Sequence, residues 1–132
     1  MLECPDNLLY SESHAWVDTA EAESKGTVQV GFTHYLIEEL PEILSLDLPM
    51  PGDAVELDSP CIHLHLDSGV IESLRSPVAG HVHEVNRDVL DKPDLLHVDP
   101  YANWILEIEF EDSTDFEILA ESARYTRFAD SQ

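Results

Sequence analysis

Lysine is nearly missing from this sequence: Lys25 and Lys92 are the only two in 132 residues. Basic side chains number 6 against 28 acidic ones, a formal charge of −22 at pH 7. A surface so negative repels phosphate backbones and anionic lipid headgroups, which excludes nucleic acid and membrane as partners. It suits a protein partner with a complementary basic surface, and it also serves plain solubility. Glycine is scarce, with 5 residues and no phosphate-cradling loop among them. The two cysteines, Cys4 and Cys61, have no metal-binding spacing. They are expected to be ordinary thiols of a reducing cytoplasm, with a disulfide between them left open. No run approaches the roughly 18 apolar residues of a membrane span. The opening MLECPDNLLY lacks the positive start and apolar stretch of a secretory signal, so a cytoplasmic location is expected.

What remains is enough for a core. Hydrophobic residues make up 43%, with two Trp, four Tyr and four Phe to anchor it. A chain of this length is expected to form one domain over residues 1–132, since domains run to roughly 100–200 residues. Residues 15–17 and Val28-Gln29-Val30-Gly31-Phe32 alternate in the manner of strands. Thr33 is placed to cap a short helix through its hydroxyl, with Tyr35, Leu36 and Leu40 on one side and Pro41 at its end. A further alternating run at 43–48 closes at Pro49-Met50-Pro51-Gly52-Asp53.

Residues 61–66 and 70–74 then flank the tight-turn triplet Asp67-Ser68-Gly69 and predict a hairpin. Ser76-Pro77-Val78-Ala79-Gly80 forces a corner, 81–85 alternates again, and Trp104-Ile105-Leu106-Glu107-Ile108-Glu109-Phe110 is the clearest strand. From Ser113 the apolar spacing turns helical, so residues 113–132 are expected to form a terminal helix with a frayed tail. Short strands at about ten-residue spacing predict a mainly β sandwich or barrel with both helices peripheral.

Two H-x-H pairs are the most chemical feature. His63 and His65, like His81 and His83, lie two apart, so on a strand each pair offers two imidazoles to one side. Were the two strands neighbours, four nitrogens could converge on a metal; otherwise each histidine is solvated or packed alone. Nucleophile arrangements are weak. Asp67-Ser68-Gly69 lacks the longer G-x-S-x-G setting, and Cys61 has no cationic neighbour beyond His63 to activate it. The residues do not predict an enzyme.

Several stretches, taken in order, resemble the H protein of the glycine cleavage system. Tyr10-Ser11-Glu12-Ser13-His14-Ala15-Trp16-Val17 is similar to that family's Y-[ST]-x-x-H-x-W-V opening. Val28-Gln29-Val30-Gly31-Phe32-Thr33-His34-Tyr35 resembles V-x-V-G-[IL]-T-x-[YF], and Leu48-Pro49 with Pro51-Gly52-Asp53-Ala54-Val55 resembles L-P-x-x-G-x-x-V. Ser76-Pro77-Val78-Ala79-Gly80, Glu84-Val85-Asn86 and Asp99-Pro100-Tyr101 with Trp104-Ile105 complete the series. The resemblance implies a lipoyl/biotinyl-like β-sandwich, a barrel-sandwich hybrid, with a short helix in the N-terminal third and a C-terminal helix. It also implies a non-enzymatic carrier that passes an aminomethyl group between a decarboxylase, a folate-dependent transferase and a lipoamide reductase.

In that family the group rides on lipoate joined to a lysine at a hairpin tip. Counted back from Ser76-Pro77-Val78, the lysine position is Gly69; counted forward from Gly52-Asp53, it is Ser68. An alignment of Ile71-Glu72-Ser73-Leu74-Arg75 with V-E-S-V-K puts Arg75 there, at the cost of an insertion and a deletion. A guanidinium that stays protonated is no acceptor. Asp67, Ser68 and Gly69 therefore occupy the tip in place of the lipoyl lysine, and no covalent cofactor is expected. Three readings follow: a non-lipoylated docking module for a protein partner such as a glycine cleavage-type enzyme; a metal-binding protein using the H-x-H pairs; and a genuine lipoyl carrier modified at Lys25 or Lys92. His14 and Trp16 are read as serving the fold.

Overall fold

The computed structural model describes residues 3–132. Among them, nine strands pair antiparallel into two sheets. These are β1 (Leu9–Tyr10), β2 (Ala15–Asp18), β3 (Thr27–Phe32), β4 (Ile43–Asp47), β5 (Ala54–Val55), β6 (Pro60–Leu66), β7 (Ile71–Arg75), β8 (Gly80–Val85) and β9 (Leu106–Phe110). One sheet has the order β1-β2-β3-β9-β8-β5, the other β4-β6-β7. The alternating stretches fold as strands because one row of side chains leaves water while the other keeps it. In β6, Ile62, Leu64 and Leu66 are buried and Cys61, His63 and His65 are half-buried on the other side.

The core lies between the sheets. Val17, Val28, Val30, Val82, Leu106 and Ile108 from the larger sheet meet Ile43, Leu46, Ile62, Leu64, Leu66 and Leu74 from the smaller one. Burying each such side chain contributes about 1.5–3 kcal/mol before the cost in chain entropy. The mainly β sandwich expected from the alternation is what forms.

Short helices fill the connections: α1 (Ala22–Lys25), α2 (His34–Ile37), α3 (Arg87–Asp91), α4 (Leu95–Val98) and α5 (Ser122–Asp130). α1, α3 and α4 have no counterpart among the two helices expected from the sequence. Residues 113–118 are a separate 3-10 helix, and Ala120 between it and α5 pairs with Tyr10 as an isolated bridge. None of the helices among the described residues is long and apolar enough to cross a membrane.

A second core forms on the outer side of β1 and β2. Leu8, Tyr10 and Trp16 pack there with Tyr125 and Ala129 of α5, and Tyr101, Trp104 and Phe128 close its margins. β2 is therefore buried on both faces, which is why Ala15-Trp16-Val17 has no polar position. Trp16 fits because its cross-strand partner is Gly31: a Cβ there would lie 2.4 Å from the indole Cζ2.

Candidate functional site

The β6–β7 hairpin forms as the sequence predicts, and its tip is held firmly. The Gly69 amide donates to the Leu66 carbonyl at 3.0 Å, and the Leu66 amide donates to the Val70 carbonyl at 3.0 Å. This is a three-residue hairpin loop in which glycine, at φ +88°, supplies the left-handed step. The Asp67 amide donates to the Glu42 carbonyl at 2.9 Å, which ties the loop to the chain entering β4. Asp67, Ser68 and Gly69 are all exposed, and a Cβ on Gly69 would meet nothing within 4 Å. The tip projects into open space and is closed by three backbone hydrogen bonds.

It offers a carboxylate, a hydroxyl and a bare backbone, with no amine. Residues 60–75 contain no lysine. Arg75 lies at the opposite end of the hairpin, as the Cα partner of Pro60. Its Nη1 donates to the Asp58 carbonyl at 2.9 Å and lies 4.0 Å from the Asp58 carboxylate. The two lysines sit elsewhere. Lys25 ends α1, with its Nζ 4.0 Å from the Glu21 carboxylate, and Lys92 follows α3, its amide donating to the Asp88 carbonyl.

The histidine pairs are separated. Within each pair both imidazoles share a side, as strand alternation requires, but β6 and β8 belong to different sheets. Both pairs lie on the sides turned away from the core, so they project from opposite faces of the sandwich. His63 Nδ1 is 2.8 Å from the Ser73 hydroxyl, and His65 Nε2 is 2.6 Å from the Asp47 carboxylate. His83 Nε2 is 3.8 Å from the Glu107 carboxylate, and His81 is exposed. Among the described residues no three His, Cys, Asp or Glu side chains are placed to hold a metal ion. The four-nitrogen convergence does not arise among the described residues, because the chain sends β6 with one pair to one layer and β8 with the other pair to the other.

Both cysteines are free. Burial pushes the Cys61 thiol up to about 11, away from nucleophilic use near neutral pH. Cys4 Sγ lies 3.5 Å from the Tyr101 hydroxyl.

Two groupings went unread in the sequence. The first is the polar seam under α5. The Tyr125 hydroxyl is 2.7 Å from Thr33 Oγ1 and 2.6 Å from His14 Nδ1, and His34 Nδ1 is 2.6 Å from the Tyr101 hydroxyl. The spacing from 14 to 125 leaves no local signal for such a contact. Burial raises the Tyr125, Tyr10 and Tyr101 hydroxyls far above their ordinary range, so they stay protonated. Burial also lowers His14, against the opposing pull of Gln132 and the Glu39 carboxylate.

The second is a scatter of exposed aliphatic side chains around the hairpin end of the smaller sheet. Leu44, Val70 and Ile71 are 58%, 52% and 57% exposed. Here a signal exists: Ile43-Leu44 and Val70-Ile71 are adjacent apolar pairs, and two successive strand residues cannot both face one core. A register shift between Ile43 and Ser45 confirms the bulge that turns Leu44 outward.

Comparison with known proteins agrees with this architecture. A sequence model of the family described as glycine cleavage H-protein matches residues 8–132. A relative named glycine cleavage system H protein from Bifidobacterium longum is 43% identical over 112 residues, spanning 84% of this chain and 78% of that protein. One of the same name from Bacillus cereus is 35% identical over 125 residues, 94% of each chain. The crystal structure of a glycine cleavage system H protein from Mycobacterium marinum superposes with a TM-score of 0.78 at 25% identity, covering 94% of this chain and 97% of that one. The two-sheet sandwich, the exposed hairpin and the match along nearly the whole chain agree: the protein belongs to the glycine cleavage H-protein family, whose members are carriers and not enzymes.

Proposed function

We propose that this chain is a glycine cleavage H-protein-like domain that has lost the lipoylation site and acts as a non-lipoylated protein-docking module in the cytoplasm. The observation that carries the reading is the absence of any amine on the β6–β7 hairpin, where Asp67, Ser68 and Gly69 hold the projecting position. Lipoate joins its carrier through an amide between its own carboxyl group and a side-chain amine, and none of these three residues offers that amine. The group does not fit the tip, and no transfer step is assigned to it.

What remains of the family's equipment is the mount: a fixed turn, an acidic surface and a sandwich beneath. The partner is a protein with a complementary basic surface, such as a glycine cleavage-type enzyme. The charge of −22 favours fast, salt-sensitive association with it. Residues 1–132 act in this as one domain.

The names of the relatives favour a second reading, a genuine carrier modified at Lys25 or Lys92. Incubation of the purified chain with a lipoate ligase, ATP and lipoate separates the two. The unchanged chain is expected to gain no lipoyl group, and Ser68→Lys is expected to gain one. Modification of the unchanged chain at either lysine would favour the carrier instead.

A further inference from the structure

The chain beyond Ala120 is attached differently from the rest. Among the described residues, the core between the two sheets takes no side chain after Leu119. No backbone hydrogen bond joins residues 121–132 to the sheets either; the last is the Ala120 bridge to Tyr10. α5 is held by side chains alone, over a second core of Leu8, Tyr10 and Trp16 that its Tyr125 and Ala129 complete. A segment with so few links to the main core can open as a unit, at less than the free energy of global unfolding.

Two of its polar fastenings, Ser122 with Asp6 and Tyr35 with Asp130, lie at the exposed surface, where water competes for the same groups. The buried one is Tyr125. Its ring stacks on Tyr10, and its hydroxyl lies 2.7 Å from Thr33 Oγ1 and 2.6 Å from His14 Nδ1. A fixed loop presents His14 to this hydroxyl: the His14 amide donates to the Ser11 carbonyl at 3.1 Å, and its carbonyl accepts from the Thr33 amide at 2.9 Å. The backbone there has φ +70°, a region uncommon for residues other than glycine. The imidazole stands beside both Tyr125 and Phe128 of α5, with ring centroids 5.8 and 6.2 Å away.

The proton on this ring matters to the contact. A neutral imidazole can accept from Tyr125 at Nδ1 while Thr33 donates to the phenol. A protonated imidazole can only donate, so Tyr125 must turn its own proton to Thr33, and a full charge enters a half-buried site. The groups facing the ring are the Tyr125 hydroxyl from α5, the Gln132 side chain from the chain end and the Glu39 carboxylate from the segment after α2. Burial outweighs the pull of Gln132 and Glu39 and lowers His14 from 6.5. Lifting α5 returns the ring to water and restores its affinity for the proton.

We infer that residues 121–132 form a latch: proton uptake by His14 releases α5 as a unit and uncovers the Tyr10 and Trp16 face, while the two-sheet sandwich stays folded. This stands apart from the docking reading, since it involves neither the hairpin tip nor a partner. Acid favours the open form because the open ring binds the proton more tightly than the closed one. The ratio of open to closed chains rises by up to about tenfold per pH unit below 6.5, until His14 is protonated in both forms.

Both tryptophans, Trp16 and Trp104, lie in the second core, so their emission reports on it. The test is a titration of the full chain from about pH 8 to about pH 5, followed by tryptophan emission, far-ultraviolet circular dichroism and hydrogen exchange. Emission is expected to move to the red and the protection factors of the α5 amides to fall. The amides of Ile62, Leu64 and Ile108 should stay protected, and the circular dichroism of the strands should hold. His14→Asn is expected to remove the pH dependence of α5 protection. Tyr125→Phe should lower that protection already near neutral pH.

Protection of α5 that does not change with pH would overturn the latch. So would loss of protection in β6 and β9 together with α5, which would make the molecule one cooperative unit. A His14→Asn chain that titrates as the unchanged one does would assign the proton to another group and overturn it too. The unchanged chain decides the matter even where a variant does not fold: in an NMR titration the His14 ring and the α5 release must share one midpoint, and separate midpoints would contradict the inference.

Discussion

Gly80 and Gly69 show how differently two glycines can be required. At Gly80 the backbone of β9 comes so close that a Cβ would lie 2.1 Å from the Glu109 carbonyl oxygen and 2.9 Å from the Phe110 Cα. Neither neighbour can swing aside. Gly80→Ala is therefore expected to cost about 3 kcal/mol and to lower the Tm by roughly 10 °C in a calorimetric scan. Gly69→Ala meets open space and costs about 1 kcal/mol, from the left-handed backbone alone. Only part of this was legible. Asp67-Ser68-Gly69 announces a turn through its residue types, whereas the need for glycine at 80 arises from a strand 29 positions away. The histidines illustrate the same limit. That His63 and His65 share a side follows from their spacing, but which sheet each pair joins is a matter of topology.

Among the elements, α5 is the one whose attachment depends most on specific polar contacts. Tyr125 stacks on Tyr10 with ring centroids 4.8 Å apart, and its hydroxyl reaches both Thr33 and His14. The Tyr35 hydroxyl donates to the Asp130 carboxylate at 2.8 Å, and the Ser122 hydroxyl donates to Asp6. Tyr125→Phe keeps the stack and removes the hydroxyl, leaving buried partners unpaired. Its expected cost is about 1–3 kcal/mol in urea denaturation.

His14 makes the same attachment pH-dependent. Folding lowers it from 6.5, so below that value the unfolded chain takes up the proton first. The stabilisation it contributes is complete above about pH 6.5 and declines as pH falls through the folded value. His14→Asn is expected to flatten the dependence of stability on pH below 6.5, read by urea titration at several pH values.

Legibility at this scale was uneven for a physical reason. Thr33 does stand at the start of α2, as its residue type suggests, but its hydroxyl makes no cap bond and turns to Tyr125 instead. The backbone carbonyl of Thr33 accepts from the Leu36 and Ile37 amides, which leaves the side chain free for the tertiary contact. Helical spacing from Ser113 onward likewise misses the break at Ala120, where bonds of 2.8 Å to and from Tyr10 hold the chain extended. Strands were easier to foresee because burial on one face writes itself into alternation.

For the whole molecule, the ordered series of short motifs carried the family, and the structure adds the reason they belong together: they position the turns and close contacts of one two-layer sandwich. The core tolerates little change. Leu64→Ala, at a site with no exposed surface, is expected to cost about 2–5 kcal/mol. Leu44→Ser, at an exposed position of β4, should change stability by less than about 0.5 kcal/mol. That contrast separates side chains kept for folding from side chains available to a partner.

The central claim is that this member of a carrier family is not lipoylated. The most direct measurement is the intact mass of untagged protein purified from its own host, taken after denaturation. The expected result is the mass of the bare 14.8 kDa chain. An increment of one lipoyl group, mapped by peptide sequencing to Lys25 or Lys92, would contradict it.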